Sequence, residues 1–284
     1  MPSLKDIKRR IGSVKNTQKI TRAMKMVAAA KLRRAQETIV KARPYAAYMN
    51  RLASGLALRA DAGAHPLLRH EGGKRVRLVV VTSDRGLCGG FNHGIVSAAL
   101  EHTRTTFAGK EVELVIVGRK GNDILKRRPV TIAQTYTGLF DADPLRAAST
   151  VLDPLVEQFA NGEIDEVHVL YNEFKSAISQ KVVCERFLPF EPGNDHGAIA
   201  VDYLYEPSIE AVLAEFLQRH LQVQMHRVLH ESAASEHGAR MTAMDSATNN
   251  AGDMIGRLTL HYNRARQAAI TKELIEVISG SEAL

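Results

Sequence analysis

Both ends of this chain carry the same heptad seam, and a seam of that kind leaves a helix few ways to bury its apolar edge. From Ala28 the positions Ala28, Leu32, Ala35, Ile39, Ala42, Ala46, Met49, Ala53 and Leu56 advance by alternating steps of four and three. Upstream, Leu4, Ile7, Ile11 and Val14 keep the alternation, with a phase slip around Gln18 to Met24. At the other end Met241, Met244, Thr248, Ala251, Ile255, Leu258, Tyr262, Ala265 and Ala269 alternate three and four. A repeat averaging 3.5 residues predicts a left-handed coiled coil, whereas a surface helix of a globular domain shows a wider stripe. Two such helices can supply each other's partner face, so the expected product is an antiparallel rod. Rods of this kind transmit force or bridge partners and seldom carry an active site.

Proline placement agrees. None follows Pro207, and a helix over most of the remainder would span on the order of 100 Å. The first segment is proline-free from Ser3 to Arg43, and Pro44 predicts a bend. Alanine fills many seam positions, which allows close backbone approach and a thin rod but yields little buried area per turn.

Between the ends the pattern changes. Arg77 to Thr82 (RLVVVT), Val112 to Val117 (VELVIV), Glu166 to Tyr171 (EVHVLY) and Lys181 to Leu188 read as strands, and Pro144 to Phe159 as a helix. Strands alternating with helices predict an α/β fold, a Rossmann-like head with a largely parallel sheet covered on both faces. The expected organisation is a coiled-coil helix over 1–60, a head over 75–190 and a second coiled-coil helix over 208–284. Residues 190–207, rich in Pro, Gly and acidic residues, read as the connector.

Charge is unevenly distributed. The 284 residues carry a net +7, but residues 1–60 hold fifteen Lys and Arg against Asp6 and Glu37, a net of +13. The rest is therefore about −6. A basic helix is either a solvated face or the complement of an acidic partner. Phosphate backbone and acidic protein loops are both admissible, and composition alone leaves them level. Against nucleic acid stand the apolar seam and the lack of accompanying aromatic residues. No stretch is apolar enough for a membrane span, and the charged start at Met1 to Arg10 lacks the core of a signal peptide. A soluble intracellular protein is the expectation.

Catalytic signals are weak. The turn Ser83-Asp84-Arg85-Gly86-Leu87-Cys88-Gly89-Gly90-Phe91-Asn92 follows a strand and precedes a helix, as a phosphate-binding loop does. It lacks the Lys-Ser/Thr of the phosphate loop and the three-glycine dinucleotide spacing, so a structural turn is expected. Cys88 reads as a small packed residue. His226 and His230 share a helix face at i, i+4 but lack the metalloprotease Glu, and are expected as solvated helix residues. Cys88 and Cys184 give no disulfide framework.

Four segments carry a family resemblance. Residues 7–36 (IKRRIGSVKNTQKITRAMKMVAAAKLRRAQ) resemble the first helix of the gamma subunit of F-type ATP synthases. Residues 82–92 (TSDRGLCGGFN) resemble that family's head loop, and residues 235–251 (SEHGARMTAMDSATNNA) and 262–280 (YNRARQAAITKELIEVISG) its last helix. The departures are small: Arg22 where Lys is common, and Gly280-Ser281 where Gly-Ala is usual. The resemblance implies a non-catalytic rotor shaft without cofactor or metal. It would stand inside a ring of alpha and beta subunits, with its head against the epsilon subunit and the membrane c-ring. It implies a peripheral location on the cytoplasmic face of the bacterial inner membrane, with membrane contact only through the complex, and no role for nucleic acid. By motif position, Met24, Lys25, Arg33, Arg34, Arg266 and Gln267 are the candidate contacts to beta subunits, where an acidic loop would complement the basic helix. Ile270 to Leu284 would reach the ring's upper bearing. Arg85, Leu87, Asn92, Tyr171, Asn172 and Phe174 are the candidates for epsilon and c-ring contacts.

Overall fold

The computed structural model describes residues 3–59, 65–68, 72–191, 206 and 208–282. Helix α1 spans Leu4–Arg59 and helix α5 spans Ile209–Glu282. Between them lie β1 (Arg75–Val81), α2 (Phe91–Arg104), β2 (Glu111–Val117), α3 (Arg119–Leu125), β3 (Thr131–Tyr136), α4 (Pro144–Ala160), β4 (Glu166–Phe174) and β5 (Gln180–Leu188). Most of the connector expected over 190–207 lies outside the described residues, as do the two last residues of the expected bearing segment. Contacts group the chain into two compact units, one of residues up to Ala28 with those from Met241, the other Ala29–Arg240.

In the smaller unit the helix starts for a local reason. The Ser3 Oγ accepts from the Asp6 N–H at 3.2 Å, and Asp6 Oδ2 accepts from the Ser3 N–H at 3.3 Å. Two of the N–H groups left unpaired at a helix start are thereby satisfied. Most seam residues are more covered than their neighbours: Ile7, Ala28, Met244, Thr248 and Ala251 are buried, and Ile255, Leu258, Tyr262, Ala265 and Ala269 half-buried among exposed residues. The phase slip between Gln18 and Met24 has a structural counterpart. There the apolar seam gives way to a polar layer in which the Thr21 and Thr248 hydroxyls lie 2.8 Å apart and Gln18 Nε2 donates to the Thr248 carbonyl at 3.4 Å. Such a layer fixes which residues face each other along an otherwise sliding, small-residue seam.

In the larger unit the sheet order is β3-β2-β1-β4-β5, with β1 to β4 parallel and β5 antiparallel to β4. Alternate residues of the strands feed two cores. Val79, Val81, Val115, Val117, Val167, Val169 and Tyr171 face α4, with Ala53, Leu56 and Ala57 of α1 and Leu213 to Leu229 of α5. Val76, Leu78, Val80, Leu114, Ile116 and Leu170 face α2 and α3. Within this unit α5 is buried on most sides, and the covered residues include the polar His220, Glu231, Ser232, Ser235 and Glu236 beside the apolar ones. Three features go beyond what the sequence pattern predicts. Helix α1 continues through Pro44. The carbonyl that proline leaves unpaired belongs to Val40, an exposed residue, and water can satisfy it there. Strand β3 went unrecognised because Thr131–Tyr136 (TIAQTY) is a polar edge strand with little apolar signal. The i, i+4 histidines are not solvated: both are half-buried and their Nε2 atoms stand 3.0 Å apart.

Candidate partner-docking surfaces

The loop after β1 occupies the carboxyl edge of the sheet, beside the point where the chain turns from one side of β1 to the other. Doubly wound sheets place ligands at such a point. Here the loop is built around its own polar groups. The Ser83 N–H donates to Asn92 Oδ1 at 3.0 Å, Asn92 Nδ2 donates to Ser83 Oγ at 2.8 Å and to Cys88 Sγ at 3.2 Å, and Ser83 Oγ donates to the Arg85 carbonyl at 2.6 Å. Asp84 receives the N–H groups of Arg119 and Gly138, both at 3.0 Å. Gly118, at φ 97°, lies so close that a Cβ there would overlap the Thr82 carbonyl. On the outer side Arg240 of α5 donates to the carbonyls of Arg85 and Gly86 at 3.2 and 3.1 Å, while pairing at 2.6 Å with Glu236. A phosphate cradle presents N–H groups; this loop presents carbonyls to a guanidinium. Burial lifts the Glu236 carboxyl above its usual range, against the pull of Arg240, and burial likewise raises the Cys88 thiol. Cys88 is packed, as its composition context predicted.

This construction sorts the six head candidates. Arg85 and Leu87 project outward, Leu87 at φ 63° and 63% exposed. Asn92, Tyr171, Asn172 and Phe174 do not: their side chains are buried within the chain. Tyr171 donates to Glu185 at 2.6 Å and accepts from Arg227 at 2.9 Å, and Arg227 pairs with Glu185 at 2.6 Å. The Asn172 carbonyl accepts from Ser235 at 3.0 Å. Glu231, buried, accepts from the Phe174 N–H at 2.9 Å and pairs with Arg43 at 2.8 Å, whose second guanidinium nitrogen reaches the Phe174 carbonyl at 2.9 Å. The YNEF stretch therefore joins β4 to α5 and α1. These buried acid–base pairs were not singled out in the sequence; only the i, i+4 spacing of Glu236 and Arg240 could have signalled one.

The basic candidates divide too. Arg33 is 84% exposed and pairs with Glu37 at 3.3 Å; Arg34, Arg266 and Gln267 are exposed, and Met24 is half-covered. Lys25 differs, because its ammonium meets Asp245 of α5 at 2.6 Å with both side chains about half exposed. Its charge stabilises the helix pair as well as facing outward. The smaller unit also exposes large apolar residues that the charge reading passed over: Ile20, Met26 and Val27 on α1, and Ile270, Leu274, Ile275, Val277 and Ile278 on α5. Apolar surface on that scale marks an interaction face. Among the described residues no helix is long and apolar enough to cross a membrane.

Comparison with known proteins finds full-length relatives. A family model described as ATP synthase matches residues 3–284. The ATP synthase gamma chain of Anaeromyxobacter sp. (strain Fw109-5) is 50% identical, with all of each chain covered. That of Geobacter sp. (strain M21) is 49% identical, over 100% of this chain and 99% of the relative. Among solved structures, a chain of the Tetrahymena thermophila mitochondrial ATP synthase central stalk and c-ring is 27% identical. It superposes with a TM-score of 0.62 over 80% of this chain and 99% of its own length. A chain of the Euglena gracilis mitochondrial ATP synthase, 22% identical with a TM-score of 0.75 over 99% and 94%, shares the fold.

Proposed function

Because this chain belongs to the ATP synthase gamma family, we propose that it is the central rotor shaft of a bacterial ATP synthase, coupling proton flow through the membrane sector to ATP synthesis at the beta subunits. The observation that carries the reading is the helix pair: two chain ends registered by the Thr21–Thr248 layer, clothed in exposed basic and apolar residues. A shaft needs an axle whose two strands do not slip against each other and whose outer face suits a surrounding sleeve. Family membership displaces the nucleic-acid reading of the basic helix.

In this proposal the chain is the non-catalytic member of the complex. Alpha and beta subunits surround the coil, and the epsilon subunit and c-ring meet the head, with Arg85 and Leu87 as its outward groups. It sits at the cytoplasmic face of the inner membrane as a peripheral subunit. Arg33, Arg34, Arg266 and Gln267, with Met24 and Lys25, face the beta subunits. Exposed charge pairs contribute about 0–1 kcal/mol each and are screened beyond roughly 8 Å, so they guide rotation without locking one angle. The test mixes this chain with alpha and beta subunits of its own complex. A stable ATPase is expected, and failure of the three to assemble counts against the proposal.

A further inference from the structure

Within the larger unit, α1, the start of α4 and α5 enclose a cavity of about 460 Å³, a size suited to one small organic molecule. Its buried wall is apolar, with Ala46 of α1 and Val223 of α5, and its rim carries Tyr45 and Leu145, which stay 53% and 47% exposed. The charged residues that line it are Lys41, Arg219 and Arg227, and no carboxylate is among the described lining residues. Such a lining repels a cation and attracts an anion. We propose that this cavity binds a small soluble phosphate monoester carrying an aromatic or alkyl group. The proposal does not depend on the rotor reading.

The charges choose the head of the ligand. Arg227 is committed to its own partners: it pairs with Glu185 at 2.6 Å and donates to Tyr171 and Gln224, both at 2.9 Å. Glu185 lines a different cavity, so its negative charge does not enter this one. Lys41 and Arg219 have no ion pair or hydrogen bond among the described residues. A phosphate monoester carries about −1.5 to −2 at neutral pH, which matches those two cations. Arg219 offers the planar fork that grips two phosphate oxygens, and Lys41 a compact point charge. A carboxylate, with one negative charge, would leave one of the two cations unmatched.

The apolar wall chooses the body. Tyr45 and Leu145 leave ring and side-chain surface in water above Val223, and an aromatic or alkyl group seated there covers it. Two further groups bear on the balance of charge. Leu145 stands in the first turn of α4, whose amino end favours an anion. Asp143, which caps that end by accepting from the Arg146 N–H at 2.9 Å, offsets part of this field without lining the cavity. His226 lines it but stays neutral at pH 7, because burial lowers its pKa from 6.5. The balance therefore rests on Lys41 and Arg219.

The experiment follows binding to the purified full chain by ligand-observed NMR, with phenyl phosphate, benzoate, inorganic phosphate and benzylamine as probes. Phenyl phosphate is expected to bind about tenfold more tightly than benzoate or inorganic phosphate, and benzylamine not at all. Arg219→Gln and Lys41→Gln should each weaken phenyl phosphate about tenfold. Both residues are exposed, so the variants should keep the wild-type melting temperature, which separates site loss from misfolding. Tyr45→Ala should bring phenyl phosphate down to the level of inorganic phosphate. Arg9→Gln with Arg10→Gln, which removes charge from an exposed part of α1 outside the cavity, should leave binding unchanged. Phosphatidylcholine vesicles holding phosphatidic acid should not displace phenyl phosphate. Displacement by them would assign the site to a lipid headgroup and overturn the soluble ligand. Benzylamine or inorganic phosphate binding as tightly as phenyl phosphate, undiminished binding in either Gln variant of the cavity, or an equal loss in the Arg9 and Arg10 variant also overturns the proposal.

Discussion

His220 is 2% exposed, its ring packs edge-on against Phe190 at 5.1 Å between centroids, and its Nδ1 has no partner. Burial, reinforced by Arg227, pushes its pKa down to about 4 from an ordinary 6.5. The unfolded chain therefore takes up a proton at this residue before the folded one does. Its neutral-form stability is intact above pH 6.5 and is lost as pH falls towards 4, a total of about 3 kcal/mol. His220→Leu should flatten the pH dependence of urea unfolding across that window by up to about 1.4 kcal/mol per pH unit; identical slopes would contradict the assignment. Glu231 shows the opposite dependence on one residue. It satisfies both Arg43 and the Phe174 N–H, so Glu231→Ala leaves a buried donor without an acceptor. A loss of about 2–3 kcal/mol is expected by denaturant titration, less than for a fully buried pair because Arg43 is 46% exposed and can regain water. None of these roles shows in composition, since a histidine or glutamate within a helix is ordinary until its surroundings are known.

The helices present the same problem at the next scale. The seam of α1 and α5 could be read because heptad spacing depends only on the chain's own periodicity, and the buried Ile39, Ala46 and Met49 follow it. How the two seams meet could not, because the spacing is the same at every heptad; the Thr21–Thr248 hydrogen bond and the Lys25–Asp245 pair settle it. Lys25→Glu places a carboxylate beside Asp245 and should destabilise the coil modestly, and Asp245→Lys in the same chain should restore it. The coupling in a double-mutant cycle is expected below about 1 kcal/mol because both groups are half exposed. Larger effects belong to the seam itself. Ala53 is fully buried, and Ala53→Leu should cost about 1–3 kcal/mol of unfolding free energy through overpacking. Pro44 offers the reverse. Pro44→Ala restores a helix N–H and should raise stability by about 1–3 kcal/mol; a fall would show that the proline shapes the packing around it. Strand β3 was hidden because its pairing with β2 supplies backbone hydrogen bonds that a polar sequence does not advertise.

At the scale of the whole molecule, function rests on what the chain leaves uncovered. Arg33→Glu with Arg34→Glu should leave unfolding stability within about 0.5 kcal/mol, since both residues are exposed on α1. The same variant should weaken the salt-dependent part of coupled ATP synthesis in the assembled complex. Unchanged coupling at low ionic strength would remove these arginines from the contact face. By itself the sequence determined the helical ends, the parallel core strands and the basic first helix, because periodicity and charge are properties of neighbours along the chain. It also carried the family motifs over most of its length. Only the tertiary structure decided that Asn92, Tyr171, Asn172 and Phe174 turn inward while Arg85 and Leu87 face out. Only there do Glu236 and Arg240 close on the loop after β1, and His226 and His230 leave solvent to face each other. Those outcomes depend on which distant segments arrive at the same place, and residues 85 and 240 have no relation in the chain until the fold brings them within a hydrogen bond's length.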